Sequence, residues 1–367
     1  MKSYTIAHTE CSTGWGGQEI RVFSEMSAMR ARGHRLLLCA PVQSCIYREC
    51  QKAGFEVHPL DDRKPSYPAT ITRLARLFRR ERVHVVNPHS SRDGWMGSIA
   101  ARLAGVPLIV RSRHIEVDYP NRFLSRIAFA RLPHHVITTS EKISRRLVEE
   151  LGLPKTKVTC VATGVDLDRF HPAVPGRVHA DLGLDPGVPL VGMVSVLRSW
   201  KGHELFVEAV KQIAPRHPQA YFFIAGEGEP AGAGIVNMIR TAGLEKRISM
   251  LGYREDVPNV LASLAVLASP STGHEGIPQI LLQAQAMARA VVGSAVGGIP
   301  EIVRDGETGL LVPPRDATAL ADRIMRLLAD PALRERLGRN AREQVVKEHS
   351  LPRMCDRIEA LYARYLP

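Results

Sequence analysis

An arginine and a lysine three residues apart, Arg198 and Lys201, follow the apolar run Leu190 to Val196 within Leu-Arg-Ser-Trp-Lys-Gly. In an open α/β sheet the carboxyl end of a strand is the edge where ligands bind. An arginine fork beside a lysine point charge suits a diphosphate, which needs both orientation and neutralisation. Alone, such a pair is a solvated turn, but a second glycine turn, Gly226-Glu227-Gly228, follows the next strand at the same edge. A carboxylate is supplied by Ser269 to Glu301, where Glu275 lies in a glycine-flanked loop and Pro278 stands as the first residue of a helix through Ile280, Leu281, Ala284 and Met287. Held at a helix N-terminus, Glu275 can accept hydrogen bonds from sugar hydroxyls while adjacent amides face phosphate. Val296 to Pro300 makes another glycine turn into a helix starting near Glu301. At the other end of the chain, Tyr4 to His8 runs through Thr9 to Gly17 into a helix opening near Gln18, which is either a plain tight turn or a place where backbone amides approach an anion. Three helix N-termini at one cleft would form an electropositive ceiling for a leaving diphosphate.

The elements that must position these residues alternate short apolar runs with longer helical patterns, which argues for α/β architecture with parallel sheets. Candidate strands in the first half are Tyr4 to His8, Arg35 to Ala40, Val83 to Asn87, Leu108 to Arg111, His135 to Thr139 and Val158 to Val161. In the second half they are Leu190 to Val196, Ala220 to Ala225, Ile248 to Leu251, Ala265 to Ala268 and Ala290 to Gly293. Between the series, Thr163 to Pro189 carries Pro172, Pro175, Gly176, Pro186, Gly187 and Pro189, which break any regular pattern, and reads as the linker. Near the end, Pro331 to Lys347 is a charged helix, and Met354, Ile358, Leu361 and Tyr362 form an apolar stripe that must pack on something.

Composition narrows the function. The 367 residues, 45% hydrophobic, suffice for two cores of ordinary size. The first ten residues hold no apolar run of the kind a secretory signal needs, and the longest apolar stretches are about half a membrane span, so a cytoplasmic chain that does not cross a membrane is expected. The six cysteines show neither a CxxC pair nor a zinc spacing. Residues 1–170 hold 27 Lys and Arg against 16 Asp and Glu, nearly all of the net +12. No nucleic-acid-binding signature accompanies this basic half, so nucleic acid is not expected as a partner. The segments Pro68 to Arg82 and Asn121 to Arg131 mix apolar and arginine residues at helical spacing, which fits either contact with anionic lipid or a core-facing stripe with a charged rim. The glycine loop lacks the dinucleotide fingerprint, since Glu19 takes the third glycine position and the second strand ends Cys39-Ala40-Pro41 without an acid, which argues against a nicotinamide enzyme.

Taken together, the motifs resemble the retaining glycosyltransferases of the GT-B fold, family four, also called group 1, of the kind that builds bacterial lipopolysaccharide and cell-surface polysaccharide. The resemblance spans nearly the whole chain. It rests on Gly16 and Gly17, the GVD at Gly164 to Asp166, the run Leu251 to Ser271, Arg198 with Lys201, the EGIP at Glu275 to Pro278, the GGIPEIV at Gly297 to Val303, and the DGETGLLVPP at Asp305 to Pro314. It implies two Rossmann-like doubly wound domains facing each other across a cleft, with residues 1–168 binding the acceptor, 169–348 the nucleotide-sugar donor, and 349–367 forming a helix that returns to the N-terminal domain. Residue by residue, it implies that Arg198 and Lys201 hold the donor diphosphate and that Glu275 contacts sugar hydroxyls, helped by the Gly276 and Ile277 amides. Gly16, Gly17 and Gly226 would line the donor site. His114 matches a family histidine that touches the donor sugar or supports the reacting centre, and His89 is a weaker candidate of the same kind. One departure is Gln283, which stands where the family carries a second glutamate that binds the ribose. A glutamine lacks the charged, acceptor-only grip of a carboxylate on two hydroxyls.

The reaction implied is sugar transfer from a nucleotide-sugar to a glycan or lipid-linked acceptor with retention, the departing diphosphate oxygen taking the acceptor proton. No metal or other cofactor is expected, because Arg198 and Lys201 supply the positive charge. Peripheral contact with an anionic membrane at the inner face of the cytoplasmic membrane fits the basic first half. Two alternatives remain: a catalytically impaired GT-B binding or scaffold protein, suggested by Gln283, and a sugar-nucleotide epimerase of the same architecture.

Overall fold

A computed structural model describes residues 2–228 and 231–366 of the chain. The chain divides into two units, Met1–Gly164 together with Leu351–Pro367, and Val165–Ser350. Both are Rossmann-like α/β domains.

The first unit contains β1 (Thr5–Thr9), β2 (Arg35–Ala40), β3 (Glu56–Pro59), β4 (Val85–Pro88), β5 (Leu108–Arg113), β6 (His135–Thr138) and β7 (Val158–Cys160). They form one parallel sheet in the order β3-β2-β1-β4-β5-β6-β7, so the strand order reverses between β1 and β4. Helices cover both faces, which is why β2, after Arg35, reads as a continuous apolar run. Alternate residues serve opposite faces. Leu36 and Leu38 join Ile6, Val85 and Val110 against Val22, Met26 and Met29 of the helix Gly17–Ala31 and against Met354, Ile358, Leu361 and Tyr362 of the last helix, Leu351–Ala363. Leu37 and Cys39 join Ala7, Val86 and Ile109 on the other face, under the helices Tyr67–Arg80 and Ser91–Ala104.

Of the two basic amphipathic segments, the first is a core helix. Leu74, Leu77 and Phe78 of Tyr67–Arg80 are buried, leaving Arg73, Arg76, Arg79 and Arg80 as its exposed rim. The second splits into the short helix Arg122–Arg126 and a π-helical turn, Ile127–Arg131. Phe129 is buried there, whereas Phe123 is 69% and Leu124 46% exposed.

The second unit contains β8 (Leu190–Val194), β9 (Tyr221–Ala225), β10 (Ile248–Gly252), β11 (Val266–Ser269), β12 (Ala290–Ser294) and β13 (Leu310–Val312). They too form a parallel sheet, ordered β10-β9-β8-β11-β12-β13, with the reversal between β8 and β11. Val191, Phe222, Ile224, Val266 and Val292 pack against Phe206 and Val210 of the helix His203–Ile213 and against Leu320, Ile324 and Leu327 of Ala317–Ala329. Asp316 and Asp330 start consecutive helices by accepting from the Ala319 and Leu333 amides at 2.8 and 2.9 Å. The edge strands β3 and β13 were not expected from the sequence; both are short, and β3 ends in a proline. Among the described residues no helix is long and apolar enough to cross a membrane.

Candidate active site

In the second unit the polar residues gather where β8 and β11 part, the position at which doubly wound sheets take ligands. After β8 the chain makes one 3-10 turn, Ser199–Lys201. Arg198, just ahead of it, is exposed, lies 5.2 Å over the Trp200 ring, and pairs with no carboxylate among the described residues. Lys201 points the other way. Its Nζ donates to Glu275 Oε1 at 2.6 Å, and Ser271 Oγ donates to the same oxygen at 2.8 Å. Glu275 is only 5% exposed, and its second oxygen, Oε2, makes no hydrogen bond among the described residues. An ammonium has three donors, so Lys201 keeps two for a ligand. The two loops form one assembly, because the Thr272 amide donates to the Trp200 carbonyl at 2.8 Å and the His274 ring meets Trp200 edge-on at 5.8 Å.

Two glycines permit this packing. Gly297 has φ +56, and a Cβ there would stand 2.2 Å from the Glu275 carbonyl, so the turn after β12 can press against the Glu275 loop only without a side chain. Gly298 then donates to Gly276 O at 3.0 Å. Gly226 has φ +146 and would place a Cβ 1.8 Å from Ser195 O. Its amide donates to Gly252 O at 2.7 Å, so this glycine holds two loops together with its N–H already committed.

Gly276 and Ile277 follow Glu275 as buried residues, and the helix behind them is Gln279–Ala286. Pro278 caps it in extended conformation, with ψ 119, rather than serving as its first residue. Gln283 is half-buried on this helix, and its side chain makes no hydrogen bond among the described residues. The helix expected from Glu301 is a single turn, Ile299–Ile302, because Val303 turns extended at φ −112 and ψ 108. The third helix N-terminus is therefore too short to add an appreciable dipole.

The first unit uses the same sheet edge differently. His8 is the penultimate residue of β1, His89 follows β4 and His114 follows β5, so three adjacent strands bring together residues far apart in sequence. His8 Nδ1 meets His89 Nε2 at 2.8 Å, and His89 Nδ1 meets His114 Nε2 at 2.9 Å. The His8 and His89 rings are nearly parallel, 8° apart with centroids 5.1 Å apart, so their nitrogens meet edge to edge. Asp93 sits behind them, accepting from the His89 amide at 2.8 Å and from Thr9 Oγ1 at 3.0 Å. Burial pushes His8 down to about 3. His89 and His114 are also held well below the usual histidine range, first by burial and then by nearby basic groups, Arg21 among them. All three are neutral at physiological pH.

The glycine loop after β1 is lined with acids rather than open to an anion. The Gly16 amide donates to Glu19 Oε2 at 2.7 Å, the half of a capping box that needs no N-cap side chain, at the start of the helix that Gly17 begins. Glu10 accepts from the Ser12 amide at 2.8 Å and from Gln18 Nε2 at 2.6 Å. Burial, with Asp93 and Glu19 adding to it, raises its pKa well above the carboxylate range. The expectation that this loop offers free amides to phosphate does not hold at Gly16. His8, Glu10 and Asp93 are the polar residues of this edge that the sequence motifs did not single out.

Two protein families divide the chain between them. "Glycosyltransferase Family 4" matches residues 15–169, and "Glycosyl transferases group 1" matches residues 177–344. The chain is 29% identical over 305 residues to the Escherichia coli UDP-Gal:alpha-D-GlcNAc-diphosphoundecaprenol alpha-1,3-galactosyltransferase, covering 80% of this chain and 78% of that protein. It is 34% identical over 209 residues to the lipopolysaccharide core biosynthesis mannosyltransferase LpcC of Rhizobium leguminosarum bv. viciae, covering 56% of this chain and 59% of that one. The fold is shared by Anabaena HepE, solved in complex with UDP and glucose, with a TM-score of 0.88 at 19% identity over 98% of this chain and 100% of that one. With one family laid over each doubly wound domain, the chain belongs to the group 1, family 4 glycosyltransferases of GT-B type.

Proposed function

We propose that this protein transfers a hexosyl unit, with retention and without a metal ion, from a nucleotide-sugar to a lipid-linked or glycan acceptor in the assembly of a bacterial cell-surface glycan. The observation that carries this reading is the cluster of exposed Arg198, half-buried Lys201 and buried Glu275 at the β8/β11 switch point. Arg198 takes the diphosphate through its planar fork, and Lys201 adds a point charge through the donors it does not give to Glu275. Glu275 Oε2 accepts from sugar hydroxyls, with the Gly276 and Ile277 amides beside it. Gln283 reaches the ribose, and His114 meets the reacting sugar. The acceptor oxygen bonds to the anomeric carbon as the carbon–diphosphate bond breaks on the same face, and the proton passes to the departing diphosphate oxygen. The two cations stabilise that leaving group, so activity should survive EDTA. A single electrostatic donor of this kind is worth about 3 kcal/mol in a transition state.

The E. coli relative's name couples a uridine donor to a diphosphoundecaprenol acceptor, which makes UDP-sugars and polyprenyl diphosphate-linked sugars the first compounds to try. The acceptor arrives at an anionic membrane surface, at the inner face of the cytoplasmic membrane, through the neighbouring Phe123 and Leu124, 69% and 46% exposed, with the exposed Arg122 and Arg126 on the same short helix. Phe123→Asp should abolish sedimentation with anionic vesicles, and unchanged sedimentation would refute the membrane contact. The reaction itself is tested with UDP-, GDP-, ADP- and CMP-sugars, proton NMR reading the anomer formed. Turnover of one donor into an anomer of unchanged configuration, lost in Arg198→Ala and Glu275→Ala, is the expected result. An inverted product would refute retention, and a folded protein that turns over no donor would favour a noncatalytic binding role, to which Gln283 points.

A further inference from the structure

The three histidines of the first unit are joined head to tail: each link pairs the Nδ1 of one ring with the Nε2 of the next. A neutral imidazole carries one N–H and one lone pair. Both links are therefore satisfied only if all three rings are protonated at Nδ1 or all three at Nε2. Any mixture sets two N–H groups, or two lone pairs, against each other across 2.8 or 2.9 Å. Protonating a ring to escape this constraint is opposed by burial, since His8, His89 and His114 are 1%, 2% and 6% exposed. Two cations beside them oppose it as well, Arg21 from the helix Gly17–Ala31 and Arg113 from β5, while the Asp93 carboxylate bonds the His89 amide and Thr9 rather than a ring nitrogen. At the inner end His8 Nε2 is buried without a partner; at the outer end His114 Nδ1 is the nitrogen outside the chain of links.

We propose that His8 and His89 are positioning residues that lock the tautomer of His114, so that all three rings share one tautomer and His114 Nδ1 offers a ligand a single, fixed hydrogen-bonding polarity. A group two links away, near the end of β1, is thus coupled to whether His114 donates to or accepts from a sugar oxygen. The kinetic consequence rests on the transferase reading; the tautomers themselves do not.

The test is ¹⁵N NMR of protein labelled only in histidine, without substrate, the three resonances being assigned by their loss in single variants. Wild type should show the same tautomer at His8, His89 and His114, with none of the three taking up a proton between pH 6 and 8. His8→Phe, which keeps the ring and removes the link, should shift the tautomer population of His114. His8→Asn, whose amide can stand where Nδ1 stood, should restore it. Once a donor is known, kcat/KM should fall roughly fivefold in His8→Phe and recover in His8→Asn, the effect of one misdirected hydrogen bond. Opposite tautomers in neighbouring rings of the wild type, or a His114 spectrum unchanged by His8→Phe, would overturn the proposal. If His8→Phe fails to fold, the wild-type tautomers still decide it. A shared tautomer with no measurable transferase activity would uphold the relay and refute the reaction instead.

Discussion

Both domains wind their strands in the same order and gather polar residues at the same sheet edge, yet they fill it with opposite chemistry. At the β8/β11 reversal the charges are formal and reach the surface: Arg198 is exposed, and Lys201 keeps donors beyond its bond to Glu275. At the β1/β4 reversal three buried, neutral imidazoles are bonded to one another, beside an acid-lined glycine loop whose Gly16 donor is already used. The first arrangement suits a multiply charged ligand, which charge-assisted bonds hold best. The second suits an uncharged one, for which fixed hydrogen-bond polarity matters more than charge. Shared topology therefore fixes where on each sheet a ligand goes, and the side chains at that switch point decide what chemistry it must have.

This contrast can be broken or sharpened by substitution. The largest effect is expected from Arg198→Ala, which should lower kcat/KM by about 10² to 10³, as removing one transition-state donor does, and should weaken nucleoside diphosphate binding in parallel. His114→Ala should cost roughly tenfold to a hundredfold in kcat while leaving that binding unchanged; steady-state kinetics beside calorimetry would separate the two. Acid should destabilise the histidine edge. His8 is held at about 3 and His203 and His135 at about 4, with His89 and His114 also lowered. The unfolded chain then binds protons that the fold does not, so each such group loses about 1.4 kcal/mol of stability per pH unit as the pH falls below about 6.5, until its folded value is reached. Glu10 and Glu25, both raised, act in the opposite direction over the same window but are outnumbered. Denaturant midpoints should thus fall between pH 7 and 5. The smallest effect should come from Gln283→Glu, which restores a charged acceptor for ribose hydroxyls and should tighten donor binding about fivefold by titration.

Much of the second unit's edge was legible in the sequence. Lys201 and Glu275 each sit beside a glycine that marks a strand end or a helix start, Arg198 lies three residues before Lys201, and the Lys201–Glu275 contact follows once β8 and β11 are neighbours. The first unit's edge was less legible. His8, His89 and His114 lie 81 and 25 residues apart, and only the crossover that sets β4 beside β1 makes them a chain. Gly16 and Gly17 looked like an anion loop because glycine spacing does not reveal that Glu19, one turn into the helix, captures the amide. The arginine-rich stripe at Tyr67–Arg80 carried equal signals for lipid and for core, since an amphipathic period says which side is apolar and not what covers it. The strand β3 was missed because its Glu-Val-His-Pro has one β-branched residue among polar ones and ends in a proline, and β13 because its three residues sit between the glycine turn and the two prolines of Asp305 to Pro314.

The division of labour between the two edges is tested most directly by calorimetric titration of UDP and GDP into wild type, Arg198→Ala and His114→Ala. The expected result is a diphosphate that binds wild type and His114→Ala alike and binds Arg198→Ala at least roughly tenfold more weakly, the effect of one lost charge-assisted contact. Equal affinity in wild type and Arg198→Ala, or a loss confined to His114→Ala, would contradict it.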